Sequence, residues 1–352
     1  MGCRLDSLLF KKLTALVGIV LLSFCFACSK TNSADTYTVP SDVVLLDTCV
    51  AEVYGNADSI VTIISDDGFF ETGVYLNAMM KYSNLHASVA GIVYYVDPFI
   101  DEWKDMVDEG HIELINHSYN HKLMKEGSFI TYNYFALRHE VIDSDKYYET
   151  NLGKEQIVFI WPENAMSQNG YSMLINNGFW ASRGDQRGFN SLSPEDGCED
   201  GQWYCLRIFG IKDDGVDTDV RNSWVDQAIN EKLWLIEMWH GVLDEDDGKF
   251  QTITIEEAAG HLKYLSSKTD SGEVWNPTFT DAVKYIREKQ NSSVYAYVSD
   301  GKMHLYVELT DPDMSYETFN HPLTVGVRLS SENDLVYYDV IPGKELIIEL
   351  DG

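Results

Sequence analysis

The sequence predicts an α/β fold: a parallel sheet, open or closed into a barrel, followed by a small antiparallel β domain. Three observations predict it. Between residues 60 and 290, short β-branched apolar runs alternate with stretches of helical spacing, the pattern of repeated βα units. Runs such as "SIVTIIS" are apolar throughout, which suits a buried strand. After Asn291 the style changes to alternating runs joined by tight turns, as in "SVYAYVSDGKMHLYVELTDP", a hairpin signal.

Taken in order, the chain begins with a segment outside the fold. Arg4, Lys11 and Lys12 precede the apolar "LTALVGIVLLSFCFAC", which has the proportions of a signal h-region and is too short for a comfortable membrane span. Its ending, "FCFAC", resembles a bacterial lipobox. The resemblance implies a signal peptide over 1–27, cleavage before Cys28 and lipidation of that thiol; an ordinary secretory signal is the alternative. Either way the mature chain is expected to be exported. With the lipid it is anchored at a membrane, on the periplasmic or cell-surface face. The polar stretch 28–45 reads as a tether.

Residues 46–291 are read as the main α/β domain, the one that would carry any catalytic site. Strand "SIVTIIS" leads to helix "ETGVYLNAMMKYS", strand "LHASVAGIVYYV" to helix "DPFIDEWKDMVDEG", and strand "HIELI" to one long helix, "FITYNYFALRHEVIDSDKYYETNL". Strand "QIVFIW", helix "NGYSMLINN" and strand "FWASR" follow, then an irregular Gly/Asp-rich loop from Gly184 to Ser223. Strand "KLWLIEMWH", helix "TIEEAAGHLKYLSSK", short "EVWNPT" and helix "FTDAVKYIREKQ" complete the domain. Residues 292–352 are read as a small β-sandwich-like domain. It is short for an independent core, so it should pack on the barrel.

The 352 residues are 45% hydrophobic and 12% aromatic, enough to bury a core. A formal net charge of −30 argues against nucleic acid as a partner, since its phosphates would be repelled. Export places Cys49, Cys198 and Cys205 in an oxidising compartment. Cys198 and Cys205 flank "CEDGQWYC" and could close a disulfide; two thiols are equally allowed. The mature chain has no Cys-x-x-Cys pair, so a thiolate zinc site is not suggested.

Two short motifs carry the chemistry. "SDDG", Ser65 to Gly68, ends a buried strand, where parallel sheets collect functional groups. "NHSYNH", 116–121, sets two histidines four apart. On a helical turn such residues share a face, about 6 Å apart. Two neutral imidazoles and a carboxylate suit a borderline cation such as zinc and leave a coordination position open. Read singly, each motif is more often a solvated turn or a surface coincidence. His86, His111, His139 and His261 have no partner in any motif and are read as structural or solvated. Glu163, Asp213 and Asp214 are assigned to acidic loops. Trp180, Trp203 and Trp239 suit sugar stacking or core packing equally.

With "SDDG" at 65–68, "NHSYNH" at 116–121, a proline in "IWPENA" at 160–165 and "MWH" at 238–240, the chain resembles the polysaccharide deacetylase family, the NodB-homology fold of carbohydrate esterase family 4, over roughly residues 58–290. The resemblance implies a distorted (β/α) barrel and a metal-dependent hydrolase that removes N- or O-acetyl groups from an oligo- or polysaccharide. It implies Asp67, His117 and His121 as metal ligands, most simply for zinc. Asp66 is then the general base toward metal-bound water, and His240 the general acid. The family's third-motif arginine falls at Ile160. Arg183, at the end of the next expected strand, is the candidate to replace it, and Asp185 is the candidate partner for His240 in the manner of the family's fourth motif. The departure at Ile160 leaves a second expectation open: a decayed scaffold acting as a surface carbohydrate-binding lipoprotein. A different metal hydrolase on a similar barrel is the third.

Overall fold

The computed structural model describes residues 44–213, 215–245, 248, 250–330 and 334–350, and for Asp185 the backbone alone. The leader, Cys28, most of the tether and Asp214 lie outside the described residues.

Strand β1 (Leu45–Val50) is followed by β2 (Ser59–Ser65), β3 (Ala87–Gly91), β4 (Ile112–Asn116), β5 (Val158–Ile160), β6 (Ala181–Arg187), β7 (Leu206–Gly210) and β8 (Trp234–Trp239). From β2 to β8 each strand lies parallel to the next, and β8 pairs with β2 over Ile60–Ser65. The sheet therefore closes into a barrel of seven strands. β9 (Gly241–Leu243) and β10 (Thr252–Thr254) form a small parallel pair beyond β8.

Both faces of β2 are buried, which explains its unbroken apolar run. Ile60 and Ile64 join a cluster with Trp234, Ile236 and Phe279. Val61 and Ile63 join another with Leu76, Val225 and Leu262, which come from helices Phe70–Ser83, Thr218–Glu231 and Ile255–Asp270. The barrel is distorted on one side. β2 meets β3 only through Ile64 and Ser65, while Ser59 and Ile60 pair with β11 (Val274–Trp275). Asn276 spans this split. Its Nδ2 donates to Val61 O at 2.8 Å and its Oδ1 accepts the His86 N–H at 2.7 Å, satisfying backbone groups that strand pairing leaves open.

Strands β12 (Ser292–Ser299), β13 (Lys302–Leu309), β14 (Leu323–Leu329), β15 (Val336–Val340) and β16 (Glu345–Glu349) form two three-stranded antiparallel sheets, β12-β13-β16 and β1-β14-β15. Met303, Leu305 and Val307 of one meet Leu323, Val325 and Val327 of the other in a shared core. Strand β1 thus belongs to this β unit, although its sequence stands at the start of the segment assigned to the catalytic domain.

Three further expectations change. The segment Gly184–Ser223 is not an irregular loop throughout: it holds β7 and the start of helix Thr218–Glu231, capped by the Asp217 carboxylate on the Val220 N–H at 2.9 Å. Arg221 lies buried on the inner side of that helix and interrupts its apolar stripe. The long helix expected over 129–152 is broken into Phe129–Tyr132, Tyr134–Arg138, a π-helical turn His139–Asp143, and Ser144–Leu152. Cys198 and Cys205 are not joined by a disulfide. Their loop is closed by backbone bonds instead, Gly201 N–H to Cys205 O at 2.9 Å and Tyr204 N–H to Gly197 O at 3.0 Å. The Cys205 thiol packs toward Gly184 on β6, while Cys198 packs on the barrel core.

The β unit is fastened to the barrel by helix Phe279–Gln290. Tyr285 enters the β core and donates to Ala51 O at 2.8 Å, and the rings of Tyr54, Trp275 and His321 close around it. Buried Glu288 accepts the His321 N–H at 3.0 Å through Oε1, while its Oε2 has no hydrogen-bond partner among the described residues. Burial pushes its pKa up to about 8. The folded state therefore holds a proton that the unfolded chain releases near pH ~4.3, so stability falls as pH rises between those values. Replacing Glu288 by Gln should remove this dependence. In thermal unfolding the variant should gain on the parent steadily from pH 5 to 8; parallel curves would contradict a neutral, buried Glu288.

Candidate metal centre

The residues singled out in the sequence come together at the C-terminal ends of the barrel strands. Asp66 and Asp67 follow β2, His117 and His121 follow β4, Arg183 lies in β6, and His240 follows β8. This is the rim where parallel barrels place their chemistry. The adjacent aspartates are turned apart by the backbone. Asp66 N–H donates to Trp239 O at 2.8 Å, continuing the strand, whereas Asp67 takes a left-handed φ of 73°. Gly68 continues the turn at φ 72°, and a Cβ there would lie 2.8 Å from the Gly91 Cα, so only glycine fits.

The two histidines are presented by a loop, not by the helical turn expected from their spacing. Ser118 and His121 have φ of 73° and 56°. Asn116 Oδ1 accepts the Ser118 N–H at 2.9 Å, and Ser118 Oγ accepts the His121 N–H at 2.9 Å. The loop folds back so that the imidazole centroids lie 4.9 Å apart. His117 Nδ1 is 2.9 Å from Ile160 O. A carbonyl only accepts, so Nδ1 carries the proton and Nε2 keeps its lone pair.

His117 Nε2 and His121 Nε2 both face Asp67. Its Oδ1 is 3.8 Å from His117 Nε2 and 3.7 Å from His121 Nε2, too long for hydrogen bonds. Two ligand atoms about 2.1 Å from one tetrahedral ion stand ~3.4 Å apart, so the gap fits a shared cation. Asp67, His117 and His121 form the one group of this kind among the described residues, with all three ligand atoms within 4.8 Å. Side-chain exposure rises from 1% at His117 through 17% at Asp67 to 31% at His121, so the centre opens toward solvent on one side. Burial pushes His117 down to about 3 and lowers His121 as well. Both imidazoles are neutral at pH 7. Burial, with Asp66 beside it, pushes Asp67 up to about 6; a bound cation would reverse that shift.

Asp66 stands behind this group, sealed from solvent. Arg183 Nη2 donates to its Oδ2, and Arg183 Nη1 donates to Asn164 Oδ1. Burial acts to raise the Asp66 pKa, but the charge of Arg183, with His117, His240 and the Arg183 hydrogen bond beside it, outweighs burial and holds the carboxyl below its ordinary value. Its second oxygen, Oδ1, is buried with no partner among the described residues. His240 is pinned by its backbone: its N–H donates to Gln251 O at 3.1 Å and its carbonyl accepts from Ser65 Oγ at 3.1 Å. Its ring meets Phe250 edge-on at 5.0 Å, and Nδ1 is buried without a partner among the described residues.

The role offered to Arg183 therefore has a contact behind it; that of Asp185 does not, since its side chain lies outside the described residues. Asn164 escaped notice in the sequence. Its signal is weak: a polar residue with φ 53° in the turn after β5. The remaining histidines are engaged elsewhere: His261 with Glu237 at 3.0 Å, His139 with Asp143 at 3.0 Å, and His86 with His111, ring on ring at 5.8 Å. Trp203 and Trp239 are core residues, and Trp180 packs against Phe319 at 4.9 Å.

Fold and site together define a parallel β/α barrel with an Asp-His-His centre on its C-terminal rim. No family model and no curated protein matches the sequence. Solved structures similar to this chain include a peptidoglycan N-acetylglucosamine deacetylase, at 13% identity and a TM-score of 0.44, covering 64% of this chain and 88% of that one. A family 4 carbohydrate esterase from Streptomyces lividans is similar at 15% identity and 0.41, over 62% and 91%. A family 4 pseudoenzyme from Bacillus anthracis is similar at 13% and 0.42, over 64% and 65%. Identity and TM-score are low in each case, and the proposed roles rest on this chain's own side chains.

The buried pair makes a direct prediction. Replacing Arg183 by Met leaves Asp66 charged and unpaired, and breaking such a pair typically costs ~3–5 kcal/mol. Denaturant unfolding at pH 7 should show that loss, and the further change Asp66→Asn should recover much of it. Because the Asp66 pKa is lowered in the folded state, the pair's contribution is present above the unfolded value of ~3.9 and fades as pH falls through the folded one. An Arg183→Met protein as stable as the parent at pH 7 would refute the assignment.

Proposed function

We propose that the protein is a metal-dependent hydrolase of the polysaccharide deacetylase kind, removing N- or O-linked acetyl groups from a carbohydrate. One observation carries the proposal: a three-ligand group, a buried carboxylate held by a guanidinium, and a pinned histidine share one rim. Asp67 Oδ1, His117 Nε2 and His121 Nε2 would hold the ion, and their donor set of two imidazoles and a carboxylate suits zinc. A cation there would supply a Lewis acid for an acyl carbonyl and acidify water in its shell.

The chain's own groups do the rest. Asp66 stays ionised through Arg183 and offers Oδ1 as the acceptor for the proton of the attacking water. Arg183, itself held by Asn164 Oδ1, fixes that carboxylate in place. His240, anchored at the end of β8, supplies a proton to the departing amine or alkoxide, which leaves poorly as an anion. A decayed, carbohydrate-binding scaffold drew its support from the missing arginine at Ile160; the Arg183–Asp66 contact favours the enzymatic reading. The leader and "FCFAC" support export and anchoring through a lipid on Cys28.

Purified protein should bind about one zinc per chain, with affinity that weakens as pH drops below about 6, where Asp67 takes up its proton. His117→Ala with His121→Ala should abolish that binding; full occupancy in the double variant would rule out the ligand set. Acetate release from a panel of acetylated glycans tests the reaction. Asp66→Asn should keep the metal and lose turnover on every substrate. His240→Ala should cost about 10²–10⁴ with a sugar leaving group and far less with an activated aryl acetate. Equal losses for both variants on both substrates would dismiss the division of roles.

Cys28→Ser should release the protein from membranes in fractionation. An unchanged distribution and an unaltered N-terminal mass would reject the anchor.

A further inference from the structure

A second feature follows the loop that carries His121. Phe129, Tyr132, Tyr134 and Phe135 are 75%, 71%, 64% and 81% exposed, while Thr131 and Leu137 between and beyond them are 2% exposed. The segment shows its rings to solvent and buries a threonine. Burial alone would choose the opposite arrangement, and exposed apolar patches of this kind mark interaction sites.

The arrangement is held by polar bonds. Thr131 Oγ1 donates to Ser128 O at 2.8 Å. The Asn133 side chain breaks the helix and accepts the Phe135 and Ala136 N–H groups at 3.1 and 3.2 Å, fixing the placement of the next two rings. The segment is also tied to the rim. Asn169 Nδ2 donates to Thr131 O at 2.8 Å, and Gln168 N–H donates to Glu126 Oε2 at 3.0 Å. Gln168 and Asn169 follow the β5 turn that carries Asn164, and the segment itself follows the loop that carries His121.

We infer that residues 129–135 form a glycan-binding platform that continues the metal centre, so that the substrate is a sugar polymer spanning both. The chemistry favours this occupant. The apolar face of a pyranose ring stacks on an aromatic side chain, and tyrosines add a polar tip for its hydroxyls. A net charge of −30 disfavours a polyanion or an anionic lipid surface. The identity of the polymer as substrate rests on the function proposed above; its binding to the platform does not.

The test uses the purified protein carrying Phe129→Ser, Tyr132→Ser, Tyr134→Ser and Phe135→Ser together, with insoluble peptidoglycan in sedimentation and acetylated xylan in affinity gels. At least one polymer should bind the parent, and the variant should bind it tenfold or more weakly. kcat/KM on that polymer should fall by a similar factor, with kcat/KM on a small aryl acetate unchanged. Near-parental thermal unfolding would show that the fold is intact. Equal polymer binding by parent and variant, or no binding by the parent, would overturn the proposal. So would a loss confined to phosphatidylcholine vesicles or to self-association in sedimentation velocity, which would make the occupant a membrane or a second copy. Polymer binding that depends on the four rings, in a parent that releases no acetate from any glycan, would sustain the platform and sink the proposed reaction.

Discussion

The contact between Asp66 and Arg183 is the constraint around which the rim is organised. Both side chains are sealed from water, and an isolated buried charge is costly, so neither is tolerable without the other. Arg183 also takes the Asn164 oxygen, which ties the turn after β5 to the end of β2 across the barrel mouth. Once that turn is fixed, Ile160 O is fixed behind it, and with it the orientation of the His117 ring. A single guanidinium thus sets the direction of the Asp66 carboxylate and, through one turn of backbone, of the His117 imidazole. The cost of burying the ions is set against precise placement.

Charge explains how two neighbouring carboxylates acquire different characters. Asp66 faces inward to Arg183 and is held ionised, while Asp67, rotated outward by its left-handed backbone, lacks a cation of its own and is pushed up by burial. The positive φ values at Asp67, Ser118, His121, Glu163 and Asn164 all fall in these rim turns. Such conformations cost free energy and persist where the surroundings dictate them. Five of the ten non-glycine residues with positive φ among the described residues lie in these rim turns, where side chains must be aimed.

Much of this was legible in the sequence, and the exceptions have physical causes. Strand β2 announced itself because both its faces are buried. The Asp66–Asp67 and His117–His121 motifs pointed to the same ion, but the spacing of the histidines suggested a helix where Asn116 and Ser118 impose a reversed loop. Arg183 stood out only as a charge near a strand end; its contact with Asp66 spans most of the barrel in sequence and no local pattern encodes it. Helix Thr218–Glu231 was hidden because Arg221 sits among its inward positions, where its Nε donates to Ile211 O at 2.9 Å. The helix break at Asn133 is a matter of side-chain capping, visible afterwards as an Asn before a helical stretch. Strand β1 looked like the approach to a barrel because nothing in its six residues names a partner nearly three hundred positions away.

That pairing also has a mechanical meaning. Strand β1 is the first described element of the chain, and it lies against β14, with Ser330 N–H donating to Val44 O at 2.8 Å where it begins. Tension arriving along the chain at Val44 would load this ladder of backbone bonds first. It is borne by the β1–β14 pairing before it reaches β2 and the aspartates that follow. Among the described residues the β unit therefore stands between a pull at Val44 and the geometry of the rim.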